Sequence, residues 1–439
     1  MVETRMRVAA GSGLSELELA SGIVFGSSPR AASFPARTPP SVIAAIEQAI
    51  LPALGTPPCL VSFSGGRDSS AVLAVAAALA RREGLPAPIP ATNVFPQAPA
   101  SDEARWQEQV IRWLGLSDWL RIEHTDELDL IGPYAQDMLR RHGLLWPFNT
   151  HFHVPLLQAS AGGSLLTGIG GDELFDGAER NRLAAVRARL VRPAPRDLAR
   201  LGLVVAPHRV RRRALSLRDR IDFEWLRPRA RRLATLAFAD MAAREPVDVG
   251  ERLRWLRGVR YLETSTAALA LPAEDTGTLL VHPLLDLDVW NAVAQAAAPI
   301  GFAGRTDAMR RLLGGLLPDE MCARRSKATF EGAFWTERAR AFARDWDGSG
   351  VPSNLVDADA LANHWQSSAP AANAYPLLQA AWLSSARGVE QPIDGISDPL
   401  PATRTAQDEE GKRAELDQSR GVRRIELDST VRAERAQPV

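Results

Sequence analysis

Twice in this chain a short apolar strand candidate runs into a glycine turn and straight on into a helix, and this repeat constrains the fold more than any other feature. In the first copy Leu60 to Phe63 reads as a buried strand. Ala71 to Ala80 is an unbroken Ala/Val/Leu run suited to a helix packed on a sheet. Ser64-Gly65-Gly66-Arg67-Asp68-Ser69-Ser70 lies between them. In the second, Ser164-Leu165-Leu166-Thr167 leads into Gly168-Ile169-Gly170-Gly171-Asp172-Glu173. A strand–turn–helix of this kind gathers free backbone N–H groups and the positive end of a helix dipole at one point, where an anion binds. Adjacent glycines let the backbone approach that anion, since no Cβ stands in the way. The hydroxyls of Ser64, Ser69 and Ser70 add donors, and Asp68 can hold a divalent cation beside the phosphates. A nucleotide pyrophosphate fits such a place. The turn lacks the lysine of a Walker-type loop, so phosphoryl transfer of that kind is not expected.

Strand and helix signals alternate around the two turns. Ile89 to Phe95 and Trp119 to Glu123 read as further strands. Helices are expected after Pro40-Ser41, with Val42, Ile43, Ile46 and Ile50 as an apolar stripe, from Ser101-Asp102-Glu103 to Leu114, from Glu127 to His142, and from Val154 to Ala161. Such alternation implies an α/β fold with a doubly wound parallel sheet. In these sheets ligands sit beyond the carboxyl ends of the strands, near the switch in strand order. Asp68 and Asp172 would then face one Mg²⁺ from two loops; the plainer alternative makes Asp172 only a helix cap. Leu14 to Phe25 reads as a short hairpin.

A chain of 439 residues with 46% hydrophobic content can bury a substantial core. Net charge is zero, which supplies no global pull toward nucleic acid or an anionic membrane. Two cysteines, Cys59 and Cys322, are too few for a disulfide framework. The first 26 residues hold no continuous apolar core of a signal sequence, and no run is long enough for a membrane span. A cytoplasmic enzyme is expected. Of the 52 basic residues only Lys327 and Lys412 are lysines, so each asks for a reason. Residues 187–232 are Arg-rich and read as amphipathic helices, with a face for an acidic peptide or a partner protein as the alternative. His151 and His153 lie close together, but no third metal ligand is evident and packed or hydrogen-bonded imidazoles are the plainer reading. Residues 389–439 read as a disordered polar tail.

The two motifs Ser-Gly-Gly-x-Asp-Ser and Gly-x-Gly-Gly-Asp-Glu-Leu-Phe, about a hundred residues apart on alternating β/α structure, resemble the synthetase domain of the asparagine synthetase family. That family includes β-lactam synthetases and lasso-peptide macrolactam cyclases. Further likeness lies in His282-Pro283-Leu284-Leu285-Asp286, in the helix ending at Leu317-Pro318, and in Arg325-Ser326-Lys327-Ala328-Thr329-Phe330. The likeness spans residues 41–382, within a domain placed at 39–388. The resemblance implies a sheet of the adenine-nucleotide α-hydrolase type with an additional helical C-terminal part. It implies ATP and Mg²⁺, a carboxylate activated as acyl-AMP with release of pyrophosphate, and attack by an amine. Ser62, Ser64, Gly65, Gly66, Asp68 and Ser69 would hold the nucleotide, Val94, Thr167 and Gly168 would flank its adenosine, Asp68 and Asp172 would share the metal, and Lys327 would stabilise the adenylating transition state.

Two departures from the family pattern stand out. Ile169 occupies the place of a Glu or Tyr that helps accept the amine proton, and Leu279 and Val281 occupy places of Glu and Arg. An isoleucine is no base. His153, Glu263 and His282 are candidates to replace it, or the nucleophile needs little help, as for an α-amine whose ordinary pKa is about 7.7–8.0. Residues 1–38 are also too short for the family's glutaminase domain and lack a Cys at position 2, so any ammonia or amine would come from a separate source. The expected substrate is an amino acid such as aspartate or a peptide carboxylate, with no nucleic acid and no membrane as partner. The competing readings are a non-catalytic homologue that binds nucleotide or peptide as a partner subunit, and a tRNA-modifying ligase, which the downstream motifs disfavour.

Overall fold

The structure, a computed structural model, describes residues 13–28, 40–175, 206–246, 248–297, 301–324, 326 and 328–389, with a few more between 176 and 205. Lys327, the segment after 389 and most of the Arg-rich 187–205 stretch lie outside the described residues.

Five strands, β1 (Cys59–Ser62), β2 (Ile89–Val94), β3 (Leu120–Glu123), β4 (Ser164–Leu166) and β5 (Leu279–Val281), form one sheet in the order β3-β2-β1-β4-β5. Every pair is parallel, with Leu60 opposite Ile89 and Val61 opposite Leu166. The order runs outward from β1 in both directions, so the topological switch falls between β1 and β4, the two strands that carry the glycine turns. Alternation along the strands sorts the core. Val61 and Leu166 join the buried cluster on one face, while Leu60 and Leu165 join Ala91, Leu156, Leu157 and Ala273 on the other. Burial on both faces is why these strands read as continuous apolar runs. β5 leaves no period in the sequence: it is three residues long, and Leu279 and Val281 are its ends.

The elements that position the site are, in chain order, α1 (Glu16–Ser21), α2 (Val42–Leu54), α3 (Arg67–Glu83), α4 (Ala104–Leu114), α5 (Pro133–His142), α6 (Val154–Ala159), α7 (Gly171–Phe175), α8 (His208–Arg218), α9 (Pro228–Ala243), α10 (Arg260–Thr276), α11 (Leu287–Ala296), α12 (Arg305–Leu313) and α13 (Tyr375–Val389). α2 begins where Ser41 accepts from the Ala44 amide, as the sequence suggests. α3 buries Ala71 through Ala77 along with Leu79 and Ala80 against the sheet.

Two expected elements are corrected. Leu14 to Phe25 holds no hairpin but α1, because Ser15 and Glu18 close a reciprocal capping box and Gly22, at φ +65°, ends the helix. α1 sits in a second hydrophobic cluster with Trp225, Trp335, Trp365, Tyr375 and the buried face of α13, which is the additional helical part of the fold. The helix expected from Glu127 starts only at Pro133. Asp129 holds the preceding segment as a loop: it accepts from the Ile131 amide and from both the amide and hydroxyl of Thr336. Leu130 N–H donates to the Phe334 carbonyl beside it. In the described part of the Arg-rich region α8 packs on α9, with residues 219–227 as a non-helical connection.

No helix among the described residues is long and apolar enough to cross a membrane.

Candidate functional site

The β1 turn is a self-bonded knot of small groups. The Ser64 and Ser69 hydroxyls share a hydrogen bond of 3.2 Å, the Gly66 amide donates to Ser64 Oγ, and Ser69 Oγ lies 3.2 Å from the Gly66 carbonyl. Gly65 takes φ +78°, where a side chain is strained, and a Cβ there would stand 2.7 Å from Gln107 Cγ. Gln107, on α4, donates in turn to the Ser64 carbonyl at 3.1 Å. The turn is thus shaped from one side by α4 and opens on the other toward a cavity at the N-terminus of α3.

The β4 turn is built against it. A Cβ on Gly168 would meet the Ser69 amide nitrogen at 2.7 Å, and one on Gly171 would meet the Asp68 carboxyl carbon at 2.2 Å. Glycine is required at both places so that the two turns can interlock. Thr167 Oγ1 is bonded to His282 Nδ1 at 2.7 Å and receives the Ile169 amide at 3.3 Å, which ties the turn to the residue just past β5.

This interlock brings two carboxylates from different turns together. Asp68 and Asp172 both grip the guanidinium of Arg305, the first residue of α12. Burial pushes the Asp68 carboxyl up, with Arg305 opposing. Asp68 Oδ1 is buried and has no hydrogen-bond partner among the described residues. Two carboxylates converging on one cationic group, with a carboxylate oxygen still unsatisfied, are a donor set suited to Mg²⁺.

A second cation shapes the wall. Arg324 is almost fully buried; it donates to the Gly65 carbonyl at 2.6 Å and to Ser326 Oγ at 3.1 Å, pairs with buried Glu103, and lies 5.0 Å over the Trp106 ring. The segment beginning at Arg324 is thereby fastened to the β1 turn, and Ser326, Ala328 and Phe330 line the cavity.

The sequence-identified residues fall mostly in this one cavity of about 630 Å³. Ser62, Ser64, Gly66, Asp68 and Ser69 line it from β1, and Thr167, Gly168 and Asp172 from β4. Gly65 belongs to the same turn but faces Gln107. Val94 is not among the lining residues; its carbonyl accepts from the His124 amide at 2.9 Å, and its neighbours Asn93 and Phe95 line an adjoining cavity of about 180 Å³. That smaller cavity is walled by Phe95, Phe152, Phe330 and Phe334. Ser62, Ser64, His153 and Phe330 border both.

Of the candidate proton acceptors, Glu263 is exposed and absent from the cavity lining. His153 lines the cavity and His282 stands behind Thr167. His151 is turned away, 3.1 Å from the Leu128 carbonyl. Glu173 also lines the cavity; burial pushes its carboxyl up, and the Tyr261 hydroxyl donates to it at 3.1 Å.

Arg305, Arg324 and the Glu103 pairing were not visible in the sequence. Glu103 reads there as a helix-start acid, and one buried and one part-buried arginine do not stand out in a chain that writes nearly all its basic residues as Arg.

Burial lowers His151, His153 and His282 alike from 6.5 to about 4. With folded values below the unfolded ones, the unfolded chain binds more protons between those limits. The imidazole contribution to stability will be steady at higher pH and will fall as pH drops through 6.5 toward 4, while the raised carboxyls of Asp68 and Glu173 act in the opposite sense. Titration of the imidazole ring protons by NMR from about pH 8 to about pH 5 checks this, and midpoints near 6.5 would show that the rings reach solvent.

No curated protein matches the chain. A family model for asparagine synthase matches residues 45–385, which takes in both glycine turns, the whole sheet and most of the second cluster. On that match, and with the all-parallel sheet bearing its paired turns at the switch point, the chain belongs to the asparagine synthase family, whose members are ATP-dependent, amide-forming synthetases.

Proposed function

We propose that this protein is an AMP-forming carboxylate–amine ligase. The observation that carries the reading is the interlock of the two turns, which sets Asp68 and Asp172 around one cation at the N-terminus of α3. The amides of the Ser64–Gly66 turn and the hydroxyls of Ser64 and Ser69 would bind the pyrophosphate end of ATP. Ser62, Thr167 and Gly168 would flank the adenosine, with the Phe-walled side cavity beyond β2 receiving a planar base by stacking. Asp68 and Asp172 would hold Mg²⁺, which would neutralise phosphate charge when bound.

In the first half-reaction a carboxylate oxygen of the substrate attacks the α-phosphorus, the bond to the bridging oxygen breaks, and pyrophosphate leaves. The protein's share is orientation and charge neutralisation. Lys327 is assigned to the charge that moves onto pyrophosphate, as a compact ammonium on a flexible stem. In the second, an amine attacks the acyl carbon, AMP leaves, and the nitrogen loses a proton. Ile169 lines the cavity where a base would help, and burial keeps His153 uncharged and weakly basic. The reading therefore takes an α-amine as the nucleophile, as in ring closure of a peptide onto a side-chain carboxylate.

The test is ATP–pyrophosphate exchange with a panel of carboxylates: aspartate, and peptides bearing Asp or Glu side chains. At least one acid should support exchange, and Lys327→Ala should lower that exchange about 10²-fold. Background exchange with every acid, and no difference in the variant, would instead favour a non-catalytic nucleotide- or peptide-binding subunit.

A further inference from the structure

Arg305 stands out among the cavity residues because it fills a place rather than bordering one. Its helix, α12, is anchored by buried Ala308, Met309, Leu312 and Leu313, so the first residue projects from a fixed backbone. The side chain is 11% exposed and reaches both Asp68 and Asp172, carboxylates that come from the turns after β1 and β4. A single monovalent, planar group thus spans the two acids that a divalent ion would bridge. The two ends differ in solvation: the Asp68 side chain is 21% exposed and the Asp172 side chain 56%. Water screens the outer pair more, so that contact yields first. A guanidinium released from carboxylates is also well matched to phosphate oxygens, which it can grip with two parallel N–H donors.

We propose that Arg305 is the resident counter-cation of the metal subsite. Without nucleotide its guanidinium holds the place between Asp68 and Asp172 and keeps divalent ions out. Incoming phosphates draw the guanidinium onto themselves and free both carboxylates, so metal enters only together with nucleotide. The inference rests on the ATP and Mg²⁺ reading for its second half; its first half concerns only the metal and this chain.

The test is Mn²⁺ binding to the full-length protein, followed by the electron paramagnetic resonance signal of the free ion. Without nucleotide, the unaltered protein should show no saturable site at submillimolar Mn²⁺. Arg305→Ala should gain one site, and Arg305→Ala combined with Asp172→Asn should lose it. Arg305→Gln serves as the second variant if the alanine form does not fold. With a non-hydrolysable ATP analogue, Mn²⁺ affinity of the unaltered protein should rise at least about tenfold, a coupling within the ordinary range, while Arg305→Ala should gain much less. Saturable Mn²⁺ binding to the bare unaltered protein, as tight as in the variant, would overturn the proposal. So would a folded Arg305→Ala or Arg305→Gln protein with no site. If the analogue fails to bind at all, the proposed function falls, and the nucleotide-free comparison still decides the role of Arg305.

Discussion

Gly171→Ala will abolish carboxylate-dependent pyrophosphate exchange, by at least about 10³-fold, in a protein that still folds. The backbone gives no reason for such a loss. Gly171 opens α7 without a left-handed φ, and alanine is the better helix former by about 0.8–1.0 kcal/mol. The loss comes from a single added carbon 2.2 Å from the Asp68 carboxyl carbon and 2.4 Å from its Oδ1. Asp68 has to move off the shared cation, and Asp172 then faces it alone. Displacement of a reacting arrangement by about 1 Å costs about 10²-fold, and losing a preorganised charge contact costs a comparable factor. Circular dichroism and thermal melting should match the unaltered protein while exchange disappears. Near-normal exchange in a folded Gly171→Ala protein would show that the Asp68 position seen here is not the working one. Gly170 would respond differently: its φ of +103° makes any side chain strained, and a Cβ would meet the Leu284 carbonyl oxygen at 2.7 Å, so substitution there should cost stability as well.

Arg324→Ala is expected to destabilise the protein by about 3–5 kcal/mol, the usual cost of removing one partner from a buried ion pair. The Arg324 and Glu103 side chains are 3% and 7% exposed, so the carboxylate left behind would be a buried charge with its counter-ion removed. The Gly65 carbonyl would lose its donor too. Denaturant unfolding measures the effect. Arg324→Ala together with Glu103→Gln should recover part of it, because the orphaned charge goes with the second change. A single substitution costing less than about 1 kcal/mol would place this pair among the weakly coupled, solvent-screened ones.

β1 and β4 are legible because central parallel strands buried on both faces are apolar and because each runs into a glycine turn, whereas β3, at the sheet edge, alternates half-buried Leu120 and Ile122 with exposed Arg121 and Glu123. The turns themselves were legible through local chemistry: Ser64, Gly66, Asp68 and Ser69 lie within six residues of one another, as do Thr167, Gly168 and Asp172. What escaped depends on contacts distant in sequence. Arg305 meets acids 237 and 133 positions away. Arg324 meets the Gly65 carbonyl across 259. β5 is too short to show a period, and Asp129 is indistinguishable in sequence from a surface acid, although it is fully buried and dictates where α5 begins. α1 was misread for a different reason. The Ser15–Glu18 reciprocity is a local helix-start signal present in the sequence, and it decides the segment as a helix.

Residues 328–336 are stapled at both ends, to the stretch before α4, where the Thr329 amide donates to the Ala100 carbonyl, and to the loop after β3 by Asp129. A chain segment held this way has lost most of its wandering before any ligand arrives, and that ordering cost falls on folding instead of on catalysis. Residues along it then meet a bound molecule as parts of a finished wall. Lengthening the stretch by even one residue would leave both staples intact and still misalign everything between them.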